Sequence, residues 1–105
     1  RENRSQLIRI PAASGKYKRF ELRSPDPLAN PYLAYALIIS AAAEGIKAKE
    51  ELQTETDFNI FTLSEEEQKK YEKIPESKAA AASAAKGSGF IKKILPEAMI
   101  KYYCD

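Results

Sequence analysis

The chain has no histidine, a single cysteine and no arginine beyond Arg23 in its 105 residues. The lack of histidine excludes an imidazole metal ligand and a histidine general base. Because Cys104 has no second cysteine to pair with, no disulfide can form within the chain, and a reducing, cytoplasmic compartment is expected. The longest apolar run, residues 33–43, is interrupted by Ser40 and is too short to cross a membrane.

The net charge also indicates little about function, since it is only +2 in a chain that is 44% hydrophobic and 30% charged. Such a composition is typical of one soluble domain, or of a piece of one, and it predicts neither a nucleic-acid partner nor a membrane partner. The first residue, Arg1, is not methionine and opens directly into a dense polar motif. We therefore expect the chain to be cut from something longer.

The distribution of charge is more informative than its total. Residues 1–23 contain seven basic and two acidic residues, and all five arginines of the chain lie there. Residues 24–105 contain ten lysines and thirteen acids. The positive charge is therefore confined to the N-terminal segment, where the arginines are.

Alternating apolar and polar residues predict that this segment forms an antiparallel β-hairpin, with strands at residues 7–11 and 17–24 joined by a Ser-Gly turn. Successive side chains on a strand point to opposite faces of the sheet. The apolar face should carry the isoleucines of the first strand together with Phe20 and Leu22. The polar face should carry Arg9, Arg19, Glu21 and Arg23.

A row of arginines around one carboxylate suits phosphates and carboxylates, because a guanidinium binds both in a bidentate manner. The alternative is an exposed strand face whose ion pairs contribute only about 0–1 kcal/mol. For Glu21, the spacing alone favours a counter-ion of its neighbours over a ligand for Mg²⁺ or Mn²⁺ beside phosphates. A nucleic-acid groove is disfavoured, because Phe20 faces away from the arginines and cannot stack on bases there.

The rest of the sequence predicts helices, so the fold class is α+β: an N-terminal antiparallel β-hairpin, a long buried helix and several short helices. Asn30 and Pro31 are the expected N-cap and first residue of the long helix. This helix is apolar on almost every side, which predicts burial, and it should run to Leu52. Ser64 and Glu67 resemble a capping box that opens a helix at residues 65–73, and Ser77 should cap a helix at residues 78–86 that the Gly-Ser-Gly sequence at 87–89 breaks. Two further short helices are expected at residues 90–95 and 96–103.

Five short motifs follow one another in the first third of the chain: Asn-Arg-Ser at 3–5, Ile-Arg-Ile-Pro at 8–11, Arg-Phe-Glu-Leu-Arg at 19–23, Pro-Asp-Pro at 25–27 and Asn-Pro-Tyr-Leu at 30–33. Together they resemble the C-terminal part of the glutamine synthetase catalytic domain, in the form found in bacterial type I enzymes. The resemblance implies that residues 1–105 are a fragment of that domain, with the hairpin and its active-site arginines in residues 1–29 and a helical part in residues 30–105. It is specific over residues 3–33 and loose after residue 75.

The resemblance implies an ATP-dependent ligase in which glutamate is phosphorylated to γ-glutamyl phosphate and ammonia displaces the phosphate to give glutamine. ATP and Mg²⁺ or Mn²⁺ are the implied cofactors, and the parent enzyme would be a homo-oligomer, a dodecamer-like double ring. By position, Arg4 would contact the transferring phosphoryl group and the substrate, and Arg23 would bind the glutamate side-chain carboxylate or its phosphorylated form. Glu21 would ligate a metal ion. The ATP phosphates would be held by Arg9, Lys16 and Arg19.

Two departures from the family pattern matter. Phe61 stands where members regulated by adenylylation carry a tyrosine, so this control is expected to be absent. Most of the family's active site, including its other metal-binding carboxylates, would lie before Arg1, so the fragment alone should be inactive. Two alternatives stay open: a related γ-glutamylpolyamine ligase that uses an amine in place of ammonia, and a non-enzymatic anion-binding or structural module.

Overall fold

The computed structural model describes residues 6–53, 56 and 58–105. Within these residues, two short strands, β1 (Ile8–Arg9) and β2 (Glu21–Leu22), form an antiparallel pair. They are followed by α1 (Pro31–Ala48), α2 (Glu65–Gln68), α3 (Lys78–Gly87), α4 (Gly89–Ile94) and α5 (Glu97–Cys104). Single 3₁₀ turns lie at Gly15–Tyr17 and Ile60–Thr62. The prediction of an α+β fold with an N-terminal hairpin, one long helix and several short helices is confirmed.

The chain divides into two compact units, each made of two segments. The first unit comprises Arg1–Pro27 and Leu52–Glu72, and it contains the hairpin and α2. The second comprises Leu28–Glu51 and Lys73–Asp105. In the second unit, α3 packs against α4 and α5, and α1 packs against α4.

Two side-chain contacts stabilise the first unit. Gln6 Nε2 donates a hydrogen bond to the Thr56 carbonyl oxygen over 2.9 Å, just before the start of β1. The rings of Phe58 and Tyr71 meet edge to face, with 6.3 Å between their centroids. Such a pair contributes about 0.5–1.5 kcal/mol beyond its buried area. The hydrogen bond ties the hairpin segment to the segment after residue 52, and the ring pair lies within that later segment.

The start of α1 follows from its capping residue. The Asn30 side-chain oxygen accepts hydrogen bonds from the backbone N–H groups of Tyr32 at 3.0 Å and Leu33 at 3.3 Å. Pro31 occupies the first turn, where its fixed φ suits a helix and its missing N–H leaves no bond unmade. The predicted start of the helix is therefore confirmed.

The end of α1 comes earlier than the sequence pattern predicts. The helix stops at Ala48, not at Leu52, because Lys49 adopts the left-handed conformation with φ of 53°. The Lys49 N–H then turns back to the carbonyl oxygens of Gly45 and Ile46. This geometry is a common way to terminate a helix, although a glycine usually occupies the left-handed position.

A capping box opens α2. The Ser64 hydroxyl accepts from the Glu67 N–H at 3.4 Å, and a Glu67 carboxylate oxygen accepts from the Ser64 N–H at 3.1 Å. The Ser64 hydroxyl also donates to that oxygen over 2.8 Å. These hydrogen bonds to the charged form lower the pKa of the Glu67 carboxyl. The predicted capping box is confirmed, whereas the helix ends at Gln68 and the predicted extension to residue 73 is wrong.

The break between α3 and α4 depends on one serine. Ser77 caps α3 by accepting from the Ala80 N–H at 3.1 Å. Ser88 then ends α3 and begins α4, because its extended backbone interrupts the helix while its hydroxyl accepts from the Ile91 N–H at 3.2 Å. The predicted interruption at the Gly-Ser-Gly sequence is confirmed.

The burial predicted for α1 is wrong. No residue in the described ranges is buried, and on α1 the residues Tyr32, Ile39 and Ile46 are 84%, 66% and 78% exposed. A helix that is apolar on nearly every side needs apolar partners on every side, and in the described part of this chain the packing of α4 against α1 leaves these side chains exposed. No helix among the described residues is long and apolar enough to cross a bilayer.

Candidate functional site

The hairpin places three of the predicted site residues side by side. In the antiparallel ladder, Arg9 lies directly opposite Glu21. The Arg23 backbone N–H donates to the Leu7 carbonyl oxygen over 2.9 Å, which continues the same register. Opposite residues share a face of a sheet, and so do residues two apart on one strand. The prediction that Arg9, Glu21 and Arg23 share a face is therefore confirmed.

These three residues form an ion-pair cluster, which we call the Glu21 triad. Arg9 Nη1 lies 3.1 Å from Glu21 Oε2, and Arg23 Nε lies 3.4 Å from Glu21 Oε1. The side chains of Arg9 and Arg23 are 20% and 32% exposed, and that of Glu21 is 44% exposed. Partial withdrawal from water makes charge interactions stronger than on an open surface. With two guanidinium groups and one carboxylate, the triad keeps a formal charge of +1 and suits an anion.

Lys16 and Arg19 lie beside the ladder and not in it. Lys16 belongs to the 3₁₀ turn Gly15–Tyr17, and its ammonium nitrogen lies 5.3 Å from the centroid of the Tyr17 ring, a cation–π distance. Arg19 Nη1 donates to the Tyr17 carbonyl oxygen at 3.5 Å, in an exposed position. Both cations are therefore held by contacts with Tyr17.

The strands are shorter than predicted, which changes the place of Arg19. Strand pairing covers Ile8–Arg9 and Glu21–Leu22, not residues 7–11 and 17–24. The 3₁₀ turn takes up the beginning of the expected second strand, because Gly15 has φ of +57° and bends the chain there. Arg19 therefore precedes the ladder, and strand alternation does not align it with the Glu21 triad. Arg4 lies outside the described residues.

A match to a protein-family model identifies the domain that contains this hairpin. The model described as "Glutamine synthetase, catalytic domain" matches residues 1–105. The chain belongs to the glutamine synthetase catalytic-domain family.

Curated glutamine synthetases from archaea and bacteria agree with this assignment. The glutamine synthetase of Methanosarcina mazei is 46% identical over 104 residues, which cover 97% of this chain and 23% of the relative. That of Methanocaldococcus jannaschii is 41% identical over 106 residues, covering 99% and 23%. That of Staphylococcus aureus is 38% identical over 96 residues, covering 90% and 22%. The chain thus spans less than a quarter of the length of these relatives.

A glutamine synthetase domain is expected to use a divalent metal, and Glu21 fits the part of one ligand. A carboxylate has about four acceptor positions on its two oxygens, and the two guanidinium contacts occupy one direction on each. The side chain is also open to solvent on nearly half of its surface. Among the described residues, no group of three or more His, Cys, Asp or Glu side chains is placed to hold a metal ion. Glu21 can therefore contribute one oxygen to a site completed by phosphates or by other carboxylates.

Tyr17 has contacts in this glutamine synthetase hairpin that the sequence pattern did not predict. Sequence alternation treats it as an ordinary strand position, whereas its ring contacts Lys16 and its carbonyl oxygen accepts from Arg19. The sequence signal that could have indicated these contacts is a tyrosine between two lysines, with the first lysine directly after the Ser-Gly pair. A tight turn folds such neighbours onto one another, which an extended strand cannot do.

Proposed function

We propose that this chain forms part of an ATP-dependent glutamate–ammonia ligase, a glutamine synthetase. In this reaction a glutamate carboxylate oxygen attacks the γ-phosphorus of ATP and ADP leaves, which gives γ-glutamyl phosphate. Ammonia then attacks the acyl carbon and expels phosphate. The observation that carries the proposal is the Glu21 triad, two guanidinium groups around one carboxylate, within a chain of the glutamine synthetase catalytic-domain family.

The chemistry of phosphoryl transfer explains why such a cluster suits this reaction. The protein contributes chiefly by positioning the reactants and by neutralising charge on the phosphoryl oxygens. Arginine is well suited to this, because its planar donors match phosphate and carboxylate oxygens and its charge is permanent. The antiparallel ladder fixes Arg9 and Arg23 on one face of the hairpin, so the positions of their backbones are set before substrate binds.

The roles of the individual residues follow from the family resemblance and from their charge. Arg23 binds the glutamate side-chain carboxylate or its phosphorylated form, and Arg4 contacts the transferring phosphoryl group and the substrate. Glu21 supplies one oxygen to the divalent metal. A bound Mg²⁺ or Mn²⁺ supplies charge neutralisation to the phosphates. The ATP phosphates are held by Arg9, Lys16 and Arg19.

Wider features of the enzyme belong to the same proposal. The chain is a fragment of one catalytic domain, with the hairpin in residues 1–29 and the helical part in residues 30–105. The complete enzyme is of the bacterial type I class, binds glutamate, ammonia and ATP, and assembles as a cytoplasmic homo-oligomer of the double-ring type. The family assignment and the identities of up to 46% to curated glutamine synthetases support these features.

Replacing Arg9 in the complete synthetase that contains this chain tests the proposal. Arg9→Ala should raise the KM for ATP by about 10- to 100-fold, since a hydrogen bond to a charged group is worth about 1.5–3 kcal/mol. Arg9→Lys should recover part of the loss, because it restores charge but not the planar donors. Lys18→Ala is the matched control, a basic residue on the same hairpin outside the proposed site, and its KM for ATP should not change.

A purely structural role for the arginines is the second candidate, and the internal ion pairs of the triad favour it. In this case Arg9, Glu21 and Arg23 would stabilise the hairpin and bind no substrate. Arg9→Ala would then lower the unfolding temperature of the synthetase and leave its affinity for ATP unchanged. Equilibrium binding of ATP, measured beside thermal unfolding of the same variant, separates the two roles.

A further inference from the structure

We propose that Tyr17 is a positioning residue for ATP binding, because its ring restrains the Lys16 ammonium group without neutralising the charge that phosphates require. This inference rests on the proposed function, in which Lys16 and Arg19 hold the ATP phosphates. Tyr17 lies outside the five sequence motifs that carry the family resemblance. Its ring touches no substrate in this proposal and acts through Lys16.

The first support is the contact between the cation and the ring. Lys16 Nζ lies 5.3 Å from the centroid of the Tyr17 ring, within the range of cation–π attraction. Tyr17 is 66% exposed, so its ring adds little to the apolar packing of the hairpin. The contact with the ammonium group is therefore the interaction that a substitution of the ring would remove.

The second support is the backbone of the 3₁₀ turn, which holds the ring beside the lysine. The Tyr17 N–H donates a hydrogen bond to the Ser14 carbonyl oxygen over 3.2 Å, and the Tyr17 carbonyl oxygen accepts from Arg19 Nη1 at 3.5 Å. On an extended strand, the side chains of Lys16 and Tyr17 would point to opposite faces. The turn instead brings the ammonium group and the ring together, and both backbone contacts are independent of the side chain at position 17.

The third support is the chemical nature of the partner of Lys16. Among the described residues, no carboxylate forms an ion pair with Lys16. A carboxylate would restrain the ammonium group but would also compete with phosphate oxygens for it. The face of a tyrosine ring attracts the cation and leaves its positive charge uncompensated, with N–H donors free to bind an anion. Because a lysine side chain has many rotamers, restraining it before ATP arrives lowers the entropic cost of binding.

Tyr17→Leu and Tyr17→Phe form a matched pair for testing the ring in the complete synthetase. Tyr17→Leu keeps an apolar side chain without a π face, and it should raise the KM for ATP about 2- to 5-fold, the range expected for an exposed cation–π contact. The kcat, the KM for glutamate and the unfolding temperature should not change. Tyr17→Phe should match the wild type, because the Tyr17 hydroxyl makes no hydrogen bond with any described residue. An unchanged KM for ATP in Tyr17→Leu, or an equal rise in Tyr17→Phe, would overturn the proposal.

A double-mutant cycle separates an effect through Lys16 from any other effect of the ring. In a synthetase that already contains Lys16→Ala, adding Tyr17→Leu should leave the KM for ATP unchanged, because the group that the ring restrains is absent. In an Arg19→Ala background the same substitution should still raise the KM about 2- to 5-fold, since Arg19 contacts the Tyr17 carbonyl oxygen and not its ring. If Tyr17→Leu raises the KM in the Lys16→Ala background as well, the ring acts on the nucleotide or on the fold directly, and the positioning role is overturned.

Lys16→Ala alone distinguishes failure of the positioning role from failure of the proposed function. If Lys16→Ala raises the KM for ATP and Tyr17→Leu does not, the positioning role is overturned and the proposed function stands. If Lys16→Ala leaves the KM for ATP unchanged, Lys16 does not hold the phosphates and the positioning role falls with that assignment. If the complete synthetase forms no glutamine from glutamate, ammonia and ATP, both proposals fail. Lys18→Ala, which replaces the exposed lysine that follows Tyr17, is the control and should not change the KM for ATP.

Discussion

Asn30 and Tyr103 lie 73 positions apart in the chain and are joined by a side-chain hydrogen bond, with Asn30 Nδ2 donating to the Tyr103 hydroxyl over 3.1 Å. The other end of the same amide caps α1, because its oxygen accepts from the N–H groups of Tyr32 and Leu33. One amide thus both begins the long helix and fastens it to α5. Since an amide that is held at both ends cannot rotate freely, Tyr103 fixes the orientation in which Asn30 caps.

Asn30→Ala should therefore destabilise the second unit by about 1–2 kcal/mol, through loss of the cap together with the contact to Tyr103. Tyr103→Phe should cost about 0.5–1 kcal/mol, because only the hydroxyl is lost. Asn30→Asp is the control: its oxygens still accept from the helix N–H groups, and the tyrosine hydroxyl can donate to them, so stability should change little. Urea unfolding followed by far-UV circular dichroism measures all three. A larger loss for Tyr103→Phe than for Asn30→Ala would contradict the assignment.

Gly45→Ala should stabilise α1 by about 0.5–1 kcal/mol, because glycine inside a helix carries an entropic cost that alanine lacks. A Cβ atom at this position would meet only Glu50 Oε2 at 3.7 Å, an ordinary contact distance. Gly15→Ala should instead lower the stability of the hairpin by about 1–2 kcal/mol, because the φ of +57° at Gly15 is strained for any residue with a side chain. Far-UV circular dichroism reports the first change. Hydrogen exchange of the Arg23 amide, which bonds to Leu7, reports the second.

The features predicted correctly from the sequence are those that depend on residues close together along the chain or on the alternation within a strand. Asn30, Ser64 and Ser77 cap the helices that they were expected to cap, because a side chain and an N–H group two or three positions later meet whenever the helix forms. The shared face of Arg9 and Glu21 was also predictable, since alternation separates the apolar and polar faces of each strand, and pairing the two apolar faces brings the two polar ones together.

The features predicted wrongly depend on partners or on competing local geometry. Burial of α1 requires apolar surfaces that the described part of this chain does not provide, so Tyr32 and Ile46 remain exposed although the pattern of α1 is that of a core helix. The second strand is short because the turn at Gly15 continues into a 3₁₀ turn, which alternation cannot reveal. The contacts of Tyr17 with Lys16 and Arg19 follow from that turn, so they were missed together with it.

The Glu67 carboxyl should titrate below its ordinary range, and Ser64→Ala should return its pKa toward the ordinary value. The hydrogen bonds from the Ser64 hydroxyl and N–H lower this pKa, with the hydroxyl as the larger cause. Because the pKa is lower in the folded chain than in the unfolded one, the carboxylate stabilises α2 fully above the unfolded-state pKa. This contribution is lost as the pH falls through the folded-state pKa. Carboxyl NMR titration of both proteins checks it, and identical pKa values would contradict the capping box.

The chain expressed by itself should self-associate and should form no glutamine. Large apolar side chains are open to solvent in both units, among them Ile8 and Phe20 near the hairpin and Tyr32, Ile39 and Ile46 on α1. Contiguous apolar surface drives association, and a two-stranded sheet also leaves its backbone edges unpaired. Light scattering after size exclusion should therefore show species heavier than the 11.7 kDa monomer.

Ile46→Lys should shift this distribution toward monomer, because it places a charge on the exposed face of α1 while lysine remains a good helix former. Lys47→Ala, one position along, is the control and should not reduce association, since it removes charge and leaves Ile46 in place. If Ile46→Lys leaves the fraction of monomer unchanged, α1 does not drive association. Glutamine synthesis by this monomer or by the unsubstituted 105-residue chain, measured with ATP, ammonia and Mg²⁺, would contradict the view that residues outside this chain complete the active site.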